Sequence, residues 1–139
     1  IQDVTVTETP TAVLSENGTR AIEQIGTDET IYIGTTVNAE AVASVLETSQ
    51  TDIVLVAVGK LGESVPEDVI GAEMIRTYLE GGDIDTDMWS NYSDRIRSSK
   101  SAQSLRDVGL ESDIETVLEF NSSSIVPVLR SGRFVPIEV

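Results

Sequence analysis

The chain has 139 residues, 40% of them hydrophobic, which is enough for one domain with a real core rather than a disordered segment. Its 24 acidic and 9 basic residues give a net charge of −15, and this argues against nucleic acid as a partner, because such binding is dominated by phosphate neutralisation. With no Cys and no His, Ser-His-Asp hydrolysis, cysteine nucleophiles, phosphohistidine and Cys/His zinc sites are excluded, leaving carboxylates, hydroxyls, amides, Lys, Arg and hard cations held by oxygen.

No apolar run approaches the length of a membrane span, and the opening IQDVTVTETP lacks a basic region followed by an apolar one. A cytoplasmic protein is expected. The chain does not begin with Met, so a processed, truncated or partial chain is also expected. Its acidic residues are dispersed rather than gathered into a tail, which reads as adaptation to a salt-loaded (halophilic) cytoplasm.

In chain order, residues 1–9 alternate apolar and polar and suit an edge strand or a tail, and residues 11–15, TAVLS, form a short strand candidate. Asn17-Gly18-Thr19 looks like a turn opening a helix with Ala21, Ile22 and Ile25 inward, closed by Gly26. Residues 30–36, TIYIGTT, are the next strand. Asn38 can cap a helix over 39–48 whose apolar positions are Val42, Val45 and Leu46. The unbroken apolar run 53–58 reads as a strand buried on both faces. Gly59 and Gly62 bracket a tight loop after it. Pro66, Glu67 and Asp68 suit the first turn of a helix with Ile70, Met74, Ile75 and Leu79 inward.

Beyond a loop at 81–86, residues 87–99 predict a helix with Met88, Trp89, Tyr92 and Ile96 on one face, a core face rather than a stacking platform. The polar stretch 98–104 reads as an exposed turn. Two short helices, 102–108 and 112–118, flank Gly109. The alternating end makes a hairpin, 125–130 and 133–139, turning at Ser131-Gly132, with Pro127 and Pro136 arguing for edges or bulges.

The predicted fold class is α/β: a layered αβα domain over residues 1–139, with a largely parallel sheet of three βα units and a C-terminal β-hairpin. A complete small doubly wound domain of flavodoxin type is the alternative.

Ligands of open α/β sheets gather at the carboxyl ends of the strands. Three loops would meet there: residues 15–20, residues 35–38 and residues 59–68. A glycine-containing helix start favours phosphate, so Asn17, Gly18 and Thr19 are candidate phosphate ligands, with Arg20 or Lys60 adding a charge-assisted contact. Glu67 and Asp68, with Glu16, are candidate magnesium ligands. Each also has a plainer reading, as a helix cap or a complement to the helix dipole. Lys60 follows Gly59 without the full phosphate-loop pattern, so a P-loop is excluded.

The order of motifs resembles the 2-phosphosulfolactate phosphatase family. The matching segments are Asn17-Gly18-Thr19-Arg20-Ala21, Asn38-Ala39-Glu40-Ala41-Val42-Ala43, and Ser64-Val65-Pro66-Glu67-Asp68 through Ala72. Leu105, Gly109, Asp113-Ile114 and Val126-Pro127 follow in order. The resemblance implies a magnesium-dependent hydrolase of 2-phosphosulfolactate, on the way to coenzyme M. It further implies that the chain is the C-terminal part of a longer protein whose N-terminal half carries acidic, G-E-R and N-S-P segments not found here. Glu67 and Asp68 are expected as catalytic and Mg2+-binding residues, and Asn17, Gly18, Thr19, Arg20 and Asn38 as substrate-binding ones. With no His, a metal-activated water or a carboxylate would be the nucleophile. A small phosphorylated acid is the expected partner, with a homodimer joined near residues 1–6 or 125–139. The competing expectation is a non-catalytic anion-binding or assembly domain.

Overall fold

The computed structural model describes residues 16–26 and 29–139. The strand candidates at 1–9 and 11–15 lie outside the described residues. Six helices are seen among those described: α1 (Glu16–Ile25), α2 (Ala39–Glu47), α3 (Pro66–Leu79), α4 (Thr86–Arg97), α5 (Lys100–Asp107) and α6 (Glu111–Val117). Two strands follow, β1 (Ile125–Arg130) and β2 (Arg133–Glu138).

Local chemistry explains the boundaries. Gly26, at φ +90°, takes the left-handed conformation that ends α1. Pro66 opens α3, with Glu67 and Asp68 in its first turn. The Asp85 side chain accepts from the Met88 N–H to cap α4, and the Ser99 hydroxyl accepts from the Ala102 N–H to cap α5. The hairpin turns at Ser131 and Gly132, both at positive φ, the geometry that matches the twist of paired strands.

α2 and α3 pack together over the inner face of β1. Ile70 and Met74 of α3 are fully buried against Val42, Ala43 and Val126, and burying each stabilises the fold by about 2 kcal/mol. Tyr92 and Ile96 bring α4 onto the same core, and Ala102, Ile114 and Leu118 extend it under α5 and α6. Tyr92 is buried as expected. Trp89 is half exposed and meets Phe120 edge-on, with ring centroids 5.5 Å apart. The Thr36 hydroxyl donates to the Val117 carbonyl at 2.6 Å and ties the 31–38 segment to α6.

The strands differ from expectation. β1 and β2 pair antiparallel, with Pro127 opposite Pro136. Residues 31–33 add to the other side of β1, again antiparallel: the Ile33 N–H donates to the Pro127 carbonyl at 2.9 Å and the Leu129 N–H to the Ile31 carbonyl at 2.8 Å. β1 is thus an interior strand despite its proline. A three-unit parallel sheet is not seen among the described residues. Residues 53–58 belong to no ladder there. Ile53, Val54, Val56 and Val58 are 39, 81, 52 and 41% exposed, and Leu55 alone of this run packs on the core. The reason is neighbours: a strand is buried on both faces only between paired strands and two layers. Here residues 31–33 have turned to β1 instead.

No helix of the described residues is long and apolar enough to cross a membrane.

Candidate functional site

The loop from Gly59 to Ser64 is built on left-handed backbone. Gly59, Leu61 and Gly62 have φ of 71, 52 and 83°. Glycine adopts this conformation freely; Leu61 does so at a cost, and such strain persists where surrounding bonds over-determine it. Those bonds are present. Lys60 N–H donates to the Glu63 carbonyl at 2.8 Å, and Glu63 N–H donates back to the Lys60 carbonyl at 2.9 Å. The Leu61 N–H donates to Asn17 Oδ1 at 3.2 Å, and the Gly59 N–H donates to Asp68 Oδ2 at 2.7 Å. The loop is therefore pinned on one side to α1 and on the other to the first turn of α3.

The two carboxylates of that turn have different surroundings. Burial pushes the Asp68 carboxyl above its ordinary range; the Gly59 N–H opposes this and the neighbouring Glu67 charge adds to it. Glu67 Oε2 is buried without a hydrogen-bond partner, the one such side-chain atom among the described residues. A buried carboxylate oxygen with no donor is costly, and in a native structure it calls for a cation or a ligand donor. Among the described residues no group of three or more His, Cys, Asp or Glu that could hold a metal occurs, and the side chain of Glu16, the third expected ligand, lies outside them.

Beside this turn lies an open groove of about 520 Å³, lined by Lys60, Leu61, Glu63, Ser64, Val65 and Pro66 on one wall and Lys100, Ser101 and Ser104 on the other. The second wall is the start of α5. Sequence reasoning treated residues 98–104 as an exposed turn and missed it. The legible signal was the charge itself, since Lys60 and Lys100 are the two lysines of the whole chain.

The expected site residues separate into two groups. Asn17 and Asp68 both accept from the backbone of the 59–64 loop, and Glu67 precedes Asp68 in the first turn of α3. Gly18, Thr19 and Arg20 follow Asn17 inside α1, not in a turn before it; Gly18 is half-buried, and Thr19 and Arg20 are exposed. Asn38 is elsewhere in role. It occupies the N-cap position of α2, yet its side chain makes no cap hydrogen bond. Its Oδ1 accepts from the Thr35 N–H at 2.8 Å and from the Thr35 hydroxyl at 3.2 Å. Its Nδ2 donates to the Ile33 and Ile125 carbonyls at 3.2 and 3.0 Å. Buried and bonded on every side, Asn38 holds the scaffold together. Asp113, in the first turn of α6, also lies away from the loop.

The family described as 2-phosphosulpholactate phosphatase matches residues 1–132. A probable 2-phosphosulfolactate phosphatase of Symbiobacterium thermophilum is 25% identical over 93% of this chain and 61% of its own length. One of Pseudothermotoga lettingae is 29% identical over 97% of this chain and 64% of its own. The 2-phosphosulfolactate phosphatase of Methanothermobacter thermautotrophicus is 31% identical over 86% of this chain and 55% of its own. The chain therefore spans about three fifths of the length of these relatives. With the match running from the first residue through β1, the chain belongs to the 2-phosphosulpholactate phosphatase family.

Proposed function

We propose that the protein is a magnesium-dependent phosphatase that hydrolyses a phosphorylated sulfo- or hydroxy acid such as 2-phosphosulfolactate, the reaction named for its relatives. The observation that carries this is the unpartnered Glu67 Oε2 beside Asp68 at the start of α3. Magnesium commonly takes one or two protein carboxylates and completes its shell with water and substrate oxygens, so this donor pair fits it. When bound there, the cation supplies charge neutralisation of phosphoryl oxygens and a more acidic water.

The chain's own residues have the following roles in this reading. Glu67 and Asp68 hold the cation. In a chain without His, the attacking water would be activated by the cation these carboxylates hold. Asn17, Gly18 and Thr19 face the phosphate and Arg20 a further anionic group, with Asn17 already fastened to the Leu61 backbone. Asn38 positions the 31–38 segment rather than touching substrate.

We also propose that residues 30–36 and 53–58 join a largely parallel sheet in a single domain of the complete protein, as the C-terminal part of a longer chain. The apolar exposure of 53–58 supports this. An uncovered apolar strand is prone to pairing, which also favours a homodimer, testable by size measurement in molar salt.

The deciding experiment measures phosphate release from 2-phosphosulfolactate by the full-length protein with and without magnesium. Release that needs magnesium is the expected result. No turnover of any phosphorylated hydroxy acid would instead favour a non-catalytic anion-binding or assembly role.

A further inference from the structure

We propose that the groove between the 60–66 loop and the start of α5 is a subsite for a second anionic group, a sulfonate or carboxylate carried by the same small molecule as the phosphate, with Lys60 and Lys100 as its specificity-determining residues. This rests on the phosphatase reading for the phosphate, but the groove stands on its own geometry.

Charge is the first argument. A chain of net charge −15 repels small anions, so binding one requires a local reversal of the field. Two positive side chains come together here. Lys60 and Lys100, far apart in sequence and the chain's entire lysine content, line one groove, and Glu63 is the single acidic residue on its walls. Neither ammonium is in an ion pair among the described residues, which is also true of Arg20, Arg76, Arg130 and Arg133, while Arg95, Arg97 and Arg106 are matched by Glu73, Glu115 and Glu111; what sets the two lysines apart is that they share one groove.

The remaining walls suit a sulfonate or carboxylate. Ser64 and Ser101 present hydroxyls with no hydrogen-bond partner among the described residues, and Ser104 donates to the Lys100 carbonyl at 3.0 Å, bracing the first turn of α5. Leu61, Val65 and Pro66 give the groove an apolar side that a carbon backbone can lie on. At about 520 Å³ it is in the range of small-molecule sites. Its position completes the argument. Pro66 lines the groove and Glu67 and Asp68 follow directly, so one compact acid can place its second charge between the lysines and its phosphoester toward the carboxylates.

The test exploits the two-lysine composition. Acetylation of the full-length protein followed by peptide mass spectrometry reads Lys60 and Lys100 separately, because each is the one lysine within its own stretch of this sequence. Sulfoacetate, methanesulfonate and acetate serve as probes. Sulfoacetate is expected to protect both lysines together, and the single-group probes show whether sulfonate or carboxylate is the group preferred. Lys100→Gln should weaken that protection at Lys60 by about tenfold, the loss of one charge-assisted contact. In turnover, Lys100→Gln should raise KM for 2-phosphosulfolactate by a similar factor, with kcat little changed and with no effect on ethyl phosphate, which lacks a second charge. Protection of one lysine alone, protection of neither, or an equal effect on ethyl phosphate would overturn the subsite. If both lysines are protected but no phosphoester is hydrolysed, the subsite stands and the phosphatase reading falls. If hydrolysis is normal and the lysines stay reactive, the reverse holds.

Discussion

The Asn38 side chain stands in for the N–H that Pro127 lacks. In the antiparallel pairing of residues 31–33 with β1, the Ile33 N–H donates to the Pro127 carbonyl, and the return bond would come from the residue-127 N–H. Proline has none. Asn38 Nδ2 reaches the Ile33 carbonyl instead, at 3.2 Å, and the Ile125 carbonyl further along the strand at 3.0 Å. This is how a proline is tolerated on an interior strand.

Asn38→Ala should therefore destabilise the protein by about 2 kcal/mol or more, because two carbonyls and the Thr35 N–H lose a partner in a part-buried setting. Asn38→Asp keeps the acceptor and loses both donors, so it should also be destabilising. Urea unfolding measures both. A neutral Asn38→Ala would show that water replaces the amide without cost.

Gly59→Ala should cost about 2 kcal/mol or more, since Gly59 is at φ +71° and a Cβ there would run into the Glu63 carbonyl oxygen. Gly62→Ala is the control. Its φ is +83°, but a Cβ there meets nothing, so the cost should be only about 1 kcal/mol. Equal unfolding midpoints for the two variants would mean the 59–64 loop relaxes freely.

Magnesium titration calorimetry of the full-length protein should separate Asp68 from Asp113. Asp68→Asn removes a carboxylate next to Glu67 at the loop and should weaken binding; Asp113→Asn alters a first-turn residue of α6 and should leave it near the original value. Equal losses would place the metal elsewhere.

The Asp68 shift also has a sign that stability measurements can read. Burial raises its folded pKa above the ordinary 3.8, so the folded chain holds this proton more tightly than the unfolded chain. The contribution of Asp68 to stability is then full below the unfolded value and declines as pH rises to the raised folded value. Asn at this position does not titrate. The stability of the wild type relative to Asp68→Asn should fall as pH climbs above 3.8 and then level off. A relative stability that rises over this window would contradict the burial argument.

The dispersed acidic charge makes a prediction of its own. With a net charge of −15, self-repulsion weakens the compact state when ions are scarce. The thermal midpoint should rise from low to molar potassium chloride. An unchanged midpoint would leave the composition as that of an ordinary acidic protein.

Much was determined by the sequence alone. α1 ends before Gly26, α3 opens at Pro66, Gly109 parts α5 from α6, and Ser131-Gly132 turns the hairpin, all at the expected places. These are local decisions: each depends on a φ value, a missing N–H or a capping oxygen within a few residues. The order of short motifs was equally legible and led to the family. What only the tertiary structure decided is non-local. Whether 53–58 is covered depends on which strands stand beside it, and residues 31–33 pair with β1, far along the chain. Asn38 has the composition of a helix cap, and its neighbours make it a ladder surrogate. Lys100 reads as part of an exposed polar turn until the packing of α5 sets it across a groove from Lys60. No sequence spacing encodes such a meeting, because it is the sum of many packing contacts between elements that join only in the folded chain.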